Sequence, residues 1–172
     1  PGTNITGFGV IRIKNNHMKL VDLIEFKLSK KKDHSAKLSE IFNKTSELIK
    51  LHNPNFVAIE SPFFGKNVQS MLKLGRAQGV SMAAALNLDI PITEYSPKKI
   101  KMAITGNGNS SKEQVAKMLK TMLDIKEMPK NLDSTDGLAA AVCHYFNFGN
   151  SSSKKEFSNW ASYISKNPDK LV

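Results

Sequence analysis

Residues 131–146 read NLDSTDGLAAAVCHYF, an apolar segment headed by two carboxylates. Asp133 and Asp136 are three positions apart, about one helical turn, so in a helix both leave from nearly the same face. Behind them, Leu138, Ala139, Ala140 and Val142 make a nearly continuous apolar surface that belongs in a core rather than in water. Two like charges at the edge of a core repel each other unless something positive sits between them. A bound cation would offset the repulsion; acids in a first turn complementing the helix dipole would also account for them. On either reading this is a helix that packs on something apolar.

Outward from that helix, the chain alternates strand and helix patterns. Residues 5–13, ITGFGVIRI, are rich in strand formers, KNNH supplies turn residues, and MKLVDLIEFKLS runs on as a second extended segment, so the two form a hairpin. Leu38, Ile41, Phe42, Leu48 and Ile49 recur at helical spacing until Asn53-Pro54 ends the run. FVAIE, residues 56–60, reads as a short buried strand closing on Glu60. After the loop SPFFGK, the stretch from Asn67 to Asn87 reads as a helix in which Gly75 and Gly79 permit close packing. DIPITEY is a further strand with Pro91 at its edge or start. Pro97 opens a helix over SPKKIKMAIT, GNGN breaks it, and Ser110 or Ser111 caps another helix through Leu123 with Glu113 as the capping-box partner. The order predicts a mixed α/β domain over residues 1–148. NSSSKK then reads as a linker, and residues 149–172 end in an amphipathic helix that docks through Phe157, Trp160 and Ile164.

The 172 residues suffice for one core, and 40% hydrophobic with 23% charged residues are globular values. No apolar run approaches the roughly 20 residues that span a bilayer, which argues against a membrane role. The lone cysteine, Cys143, allows no intramolecular disulfide and fits a reducing, cytoplasmic setting. A net charge of +10 favours a polyanionic partner, nucleic acid ahead of anionic membrane. Arg12 and Arg76 are the only arginines; lysines neutralise phosphates as point charges, so backbone contacts should outweigh base readout.

Glu60 at a strand end and Asp133 and Asp136 at a helix start are oxygen ligands suited to a hard cation such as Mg²⁺ or Mn²⁺, and no Cys/His cluster exists to hold zinc. An acidic hole in a basic surface is the pattern of a phosphodiesterase. Two-metal phosphoryl chemistry calls for about four carboxylates, and three are present. His144, eight residues after Asp136, lies too far along the helix to share that metal.

PGTNITGFGVI, AIESPFFGKNVQSMLKLGRAQGV, YSPKKIKMAITGNGNSSKEQV and DSTDGLAAAVCH occur in this order, and together they resemble the RuvC family of Holliday junction resolvases over roughly residues 1–146. The resemblance implies a ribonuclease-H-like fold, a mixed five-stranded sheet flanked by helices. It makes Glu60, Asp133 and Asp136 the catalytic metal ligands, for Mg²⁺ with Mn²⁺ as substitute, two ions per subunit. It assigns DNA contacts to Phe63, Lys66, Lys101 and Lys112, with Phe63 beside the junction opening. It implies a homodimer built on the Asn67–Asn87 helix that binds four-way junction DNA, nicks two opposing strands symmetrically to leave 5′-phosphate and 3′-hydroxyl ends, and partners the branch-migration proteins RuvA and RuvB. In that family an aspartate directly precedes the Pro-Gly of the first turn; the matching position falls just before Pro1. The first strand of the sheet, and that acid, are thus expected upstream of Pro1, and the cutting activity of the chain from Pro1 depends on them. The rival readings are another ribonuclease-H-like nuclease and a non-catalytic junction-binding module.

Overall fold

A computed structural model describes residues 2, 4–28, 30, 33–62, 67–129, 132–148, 160–166 and 168. The hairpin pairs β1 (Ile5–Lys14) antiparallel with β2 (His17–Lys27), with Lys14 opposite His17. Its two-residue turn works because Asn15 and Asn16 hold φ of 50° and 62°, a left-handed conformation that asparagine tolerates. The helix α1 (His34–His52) begins where the Asp33 carboxylate accepts the Ala36 N–H at 2.7 Å and ends at a left-handed Asn53, with Pro54 next in the chain to prevent its continuation.

The strand β3 (Val57–Glu60) passes through α2 (Val68–Leu86) to β4 (Ile92–Tyr95), which pairs parallel to β3 with Glu60 opposite Tyr95. Pro91 precedes β4, as its missing N–H requires. The helix α3 (Pro97–Thr105) has Pro97 in its first turn, and α4 (Lys112–Met122) follows. The capping box at α4 closes with Gln114, not the expected Glu113. Gln114 stands at the third helical position, where its Oε1 accepts the Ser111 N–H at 2.8 Å while Ser111 Oγ accepts the Gln114 N–H at 3.2 Å. Lys112 is therefore the first helical residue.

The helix α5 (Asp133–Phe148) forms the centre of the main core, packing Leu138, Val142 and Phe146 with Ile104 of α3 and Leu119 and Met122 of α4. It also lies against β1 with almost no space between backbones. A Cβ at Gly137 would stand 2.6 Å from the Gly7 carbonyl oxygen, and one at Gly9 would strike the backbone of Leu138. These two glycines set how deeply the helix sits. A second cluster of Leu28, Ile41 and Ala77 joins the hairpin to α1 and α2.

Among the described residues the four strands form two separate two-stranded ladders, β1-β2 and β3-β4, rather than one five-stranded sheet. Their edges border a cleft of about 1080 Å³, lined by residues 5–13 of β1 and by all of β3, and α5 packs on both ladders. Among the described residues Gly75 and Gly79 do not give close packing within the chain, because an added Cβ at either meets nothing within 4 Å. The helix α6 (Trp160–Lys166) contacts α3, with Ile164 half-buried. The linker, Phe157 and the Trp160 side chain lie outside the described residues. No described helix is long and apolar enough to cross a membrane.

Candidate active site

β3 ends at Glu60, and the parallel pairing with β4 puts this carboxylate at the carboxyl end of both strands, where open α/β sheets gather their ligands. Opposite it, α5 brings Asp136 in its first turn, pinned by the close fit of Gly137 on Gly7. Glu60 and Asp136 line one small cavity of about 50 Å³ together with Lys101, Lys112 and Thr135. Thr135 anchors the helix start: its Oγ1 donates to the Leu132 carbonyl at 2.6 Å and its N–H to the same oxygen at 2.9 Å.

The electrostatics are those of crowded like charges. Burial raises the Glu60 pKa above its ordinary value, the Asp136 charge raises it further, and Lys112 and Lys101 oppose the shift. Lys112 Nζ donates to Asp136 Oδ2 at 3.1 Å. Four of the expected residues thus converge: Glu60, Asp136, Lys101 and Lys112. Asp133 opens α5 one turn before Asp136, but its side chain lies outside the described residues, as do Phe63 and Lys66. Among the described residues no three His, Cys, Asp or Glu side chains group to hold a metal. The pair present fits a hard divalent cation on its donor chemistry: two carboxylates, no thiol or imidazole among the cavity residues, and a lysine ammonium already seated against one of them.

His144 sits apart from this pair. Tyr95 Oη lies 2.9 Å from its Nδ1, and Phe56 and Phe148 flank its ring at 5.2 Å, so burial lowers its pKa as for a core histidine. Glu94 accepts from Gln78 Nε2 at 2.7 Å and ties α2 to β4 instead of joining Glu60. Burial pushes the Cys143 thiol up to about 12, which keeps it an inert apolar group. Sequence reasoning missed Gly9 and Gly137 as positioning residues; the alternating glycines of TGFG and the glycine directly after Asp136 were the available signal.

Fold and site together define an α/β protein whose polar centre lies between the carboxyl end of a parallel strand pair and the start of a core helix. The family model described as "Crossover junction endodeoxyribonuclease RuvC" matches residues 1–144. A protein of that description from Christiangramia forsetii is 60% identical over 99% of this chain and 89% of its own, and one from Cytophaga hutchinsonii is 54% identical over 99% and 84%. The solved structure "T. thermophilus RuvC in complex with Holliday junction substrate" is similar at a TM-score of 0.80 and 30% identity, covering 86% of this chain and 90% of that one. The chain belongs to the RuvC family of crossover junction endodeoxyribonucleases and has its ribonuclease-H-like fold.

Proposed function

We propose that this endonuclease resolves four-way Holliday junctions by metal-assisted hydrolysis of phosphodiesters, with Glu60, Asp133 and Asp136 as the metal ligands. The observation that carries the site is the convergence of Glu60 and Asp136, from separate elements, on one cavity rimmed by Lys101 and Lys112. Mg²⁺ held there, or Mn²⁺ in its place, two ions per subunit, would supply Lewis-acid activation of water and stabilisation of the leaving oxygen. Glu60 and Asp136 fix where that charge sits, because one is locked by the β3-β4 ladder and the other by the α5 start. Lys101 and Lys112 bring the DNA phosphate up to the acids, Lys66 adds a further DNA contact, and Phe63 meets the junction opening. Cleavage leaves 5′-phosphate and 3′-hydroxyl ends.

Symmetric nicking needs two such sites related by a two-fold axis, and α2 carries a face suited to one. Val68, Leu72 and Leu86 are 64%, 50% and 60% exposed and share one stripe of the helix with the open Gly75 and Gly79, opposite the buried Ala77, Ser81 and Ala84. A homodimer packed through α2 covers that stripe. The fully buried Cys143 supports a cytoplasmic setting. Association with RuvA and RuvB rests on family resemblance alone.

The cleft supports the expected upstream strand. Gly137 against Gly7 puts the start of β1 at the site end, where β3 finishes, so the two strands that face the cleft run in opposite directions. An extended segment arriving at Gly2, which lines the cleft, would run with β3 and against β1, joining both ladders as the fifth strand.

Glu60→Gln tests the site. It removes a metal ligand without altering the basic surface that supplies phosphate attraction, so junction affinity should stay within a few-fold while cleavage is lost. Gel-shift and cleavage assays on one four-way junction separate the two. A variant that cuts at a rate near the parent's overturns the assignment.

A further inference from the structure

We propose that Lys112 is a resident counter-ion that holds part of the metal's place on Asp136 and surrenders it when a DNA phosphate arrives, so that metal and DNA bind cooperatively. This rests on the metal-site reading above and adds to it an order of events at one oxygen atom. Lys112 has a fixed origin. It is the first residue of α4, whose start is locked by the reciprocal Ser111–Gln114 bonds, and the preceding turn is pinned by the 2.7 Å contact between the Thr105 and Ser110 hydroxyls. From there its side chain crosses to α5 and places Nζ 3.1 Å from Asp136 Oδ2. The pair is reachable from solvent, with the Lys112 and Asp136 side chains 49% and 38% exposed. Screening keeps such a pair weak enough to exchange.

The charges in the cavity explain why exchange should be coupled. Glu60 and Asp136 line the cavity together with Lys101 and Lys112. A divalent cation entering there must displace the ammonium from Asp136 and then sit beside it as a like charge. A phosphate on the solvent side offers the ammonium another anion. Once Lys112 turns to it, that ammonium no longer holds Asp136 Oδ2, and the negative charge facing the metal grows. By linkage, a metal that favours the released state must in turn strengthen DNA binding by the same factor.

The test is calorimetric titration of Mn²⁺ into the protein, first without DNA. Five proteins are compared: parent, Lys112→Gln, Lys112→Arg, Lys101→Gln and Glu60→Gln. Lys112→Gln should bind Mn²⁺ about five-fold tighter or more, the lower end of ordinary coupling between sites. Lys112→Arg keeps a cation on Asp136 and should bind like the parent. Lys101→Gln removes the same charge from the cavity without unseating Lys112 from Asp136, and its gain should be clearly smaller. Repeating the titration with a four-way junction whose phosphorothioate linkages slow cleavage should tighten Mn²⁺ binding by the parent and leave Lys112→Gln nearly unchanged. Equal Mn²⁺ affinity of parent and Lys112→Gln, with binding that still depends on Glu60, overturns the counter-ion role and leaves the metal site standing. A gain from Lys101→Gln as large as that from Lys112→Gln overturns it too, since bulk charge then suffices. Absence of any Mn²⁺ binding that Glu60→Gln weakens overturns the metal-site reading and this inference with it.

Discussion

Glu60 is held where its ionised form is disfavoured, by burial first and then by the neighbouring Asp136 charge. Its proton is therefore bound more tightly in the folded chain than in the unfolded one. For a carboxyl group shifted upward, the folded state loses stability as pH rises from the usual Glu range through the raised value, and the penalty is fully present above it. In a metal chelator, Glu60→Gln should accordingly melt at a higher temperature than the parent near neutral pH. The gap should close as pH falls into the ordinary carboxylate range, where both side chains are uncharged. A series of thermal melts across pH checks this, and a gap that stays constant with pH would show that the charge is not the source. The acid residues were legible in the sequence because each sits at a boundary that local pattern marks, the end of an apolar β-branched run or the start of an apolar helix. The contact between Lys112 and Asp136 was not legible as a pair. The two are 24 residues apart, and only the packing of α4 on α5 brings them together.

At the level of elements, periodicity and punctuation gave the hairpin, the helices and both short strands, since each is bounded by a residue with a local mechanical reason. Asn15-Asn16, Asn53-Pro54, Pro91, Pro97 and Ser111 all stand at element boundaries. The capping partner was misjudged between adjacent polar residues, Glu113 and Gln114, because only the helical position of the residue decides which one reaches back. How the strands join is a different kind of question. Strand patterns do not state their neighbours, and among the described residues the ladders are β1-β2 and β3-β4. A strand edge left bare along an apolar cleft is a poor end state, with unpaired N–H and C=O groups beside a surface that excludes water. If an upstream segment pairs in the cleft as proposed, protein that carries it should melt higher than the chain from Pro1. Its amides along β1 and β3, including Ile59, should exchange with solvent more slowly. Equal melting temperatures and equal exchange at these amides would show that the upstream residues do not pair in the cleft.

For the whole molecule, the decisive surface is the outer stripe of α2, where exposed apolar side chains lie together with two glycines at which an added methyl group meets no described residue. Glycine in an exposed helix interior is unfavourable by about 1 kcal/mol relative to alanine, so two of them one turn apart on the same stripe call for a reason outside the chain. Close approach of a second helix is such a reason, because small residues let backbones meet where a methyl group would hold them apart. The double variant Gly75→Ala, Gly79→Ala separates the possibilities, because its effects on monomer and dimer have opposite signs. Among the described residues of a single chain the new methyl groups meet nothing within 4 Å, so the helix itself should gain stability. If a second copy packs across the stripe at the glycines, the same methyl groups stand between the two helices. The dimer should then weaken by at least about ten-fold in dissociation constant, roughly 1.4 kcal/mol, while melts at concentrations where the protein is monomeric move upward. Sedimentation equilibrium over a range of concentrations reads the first effect and thermal melts read the second. A parent that stays monomeric at micromolar concentration, or a double variant that dimerises as well as the parent, would place the two-fold axis elsewhere. Because two symmetric nicks require two coupled sites, a weakened dimer should also cut its two strands in separate encounters with the junction, so singly nicked product should accumulate at low protein concentration even though Glu60 and Asp136 are untouched.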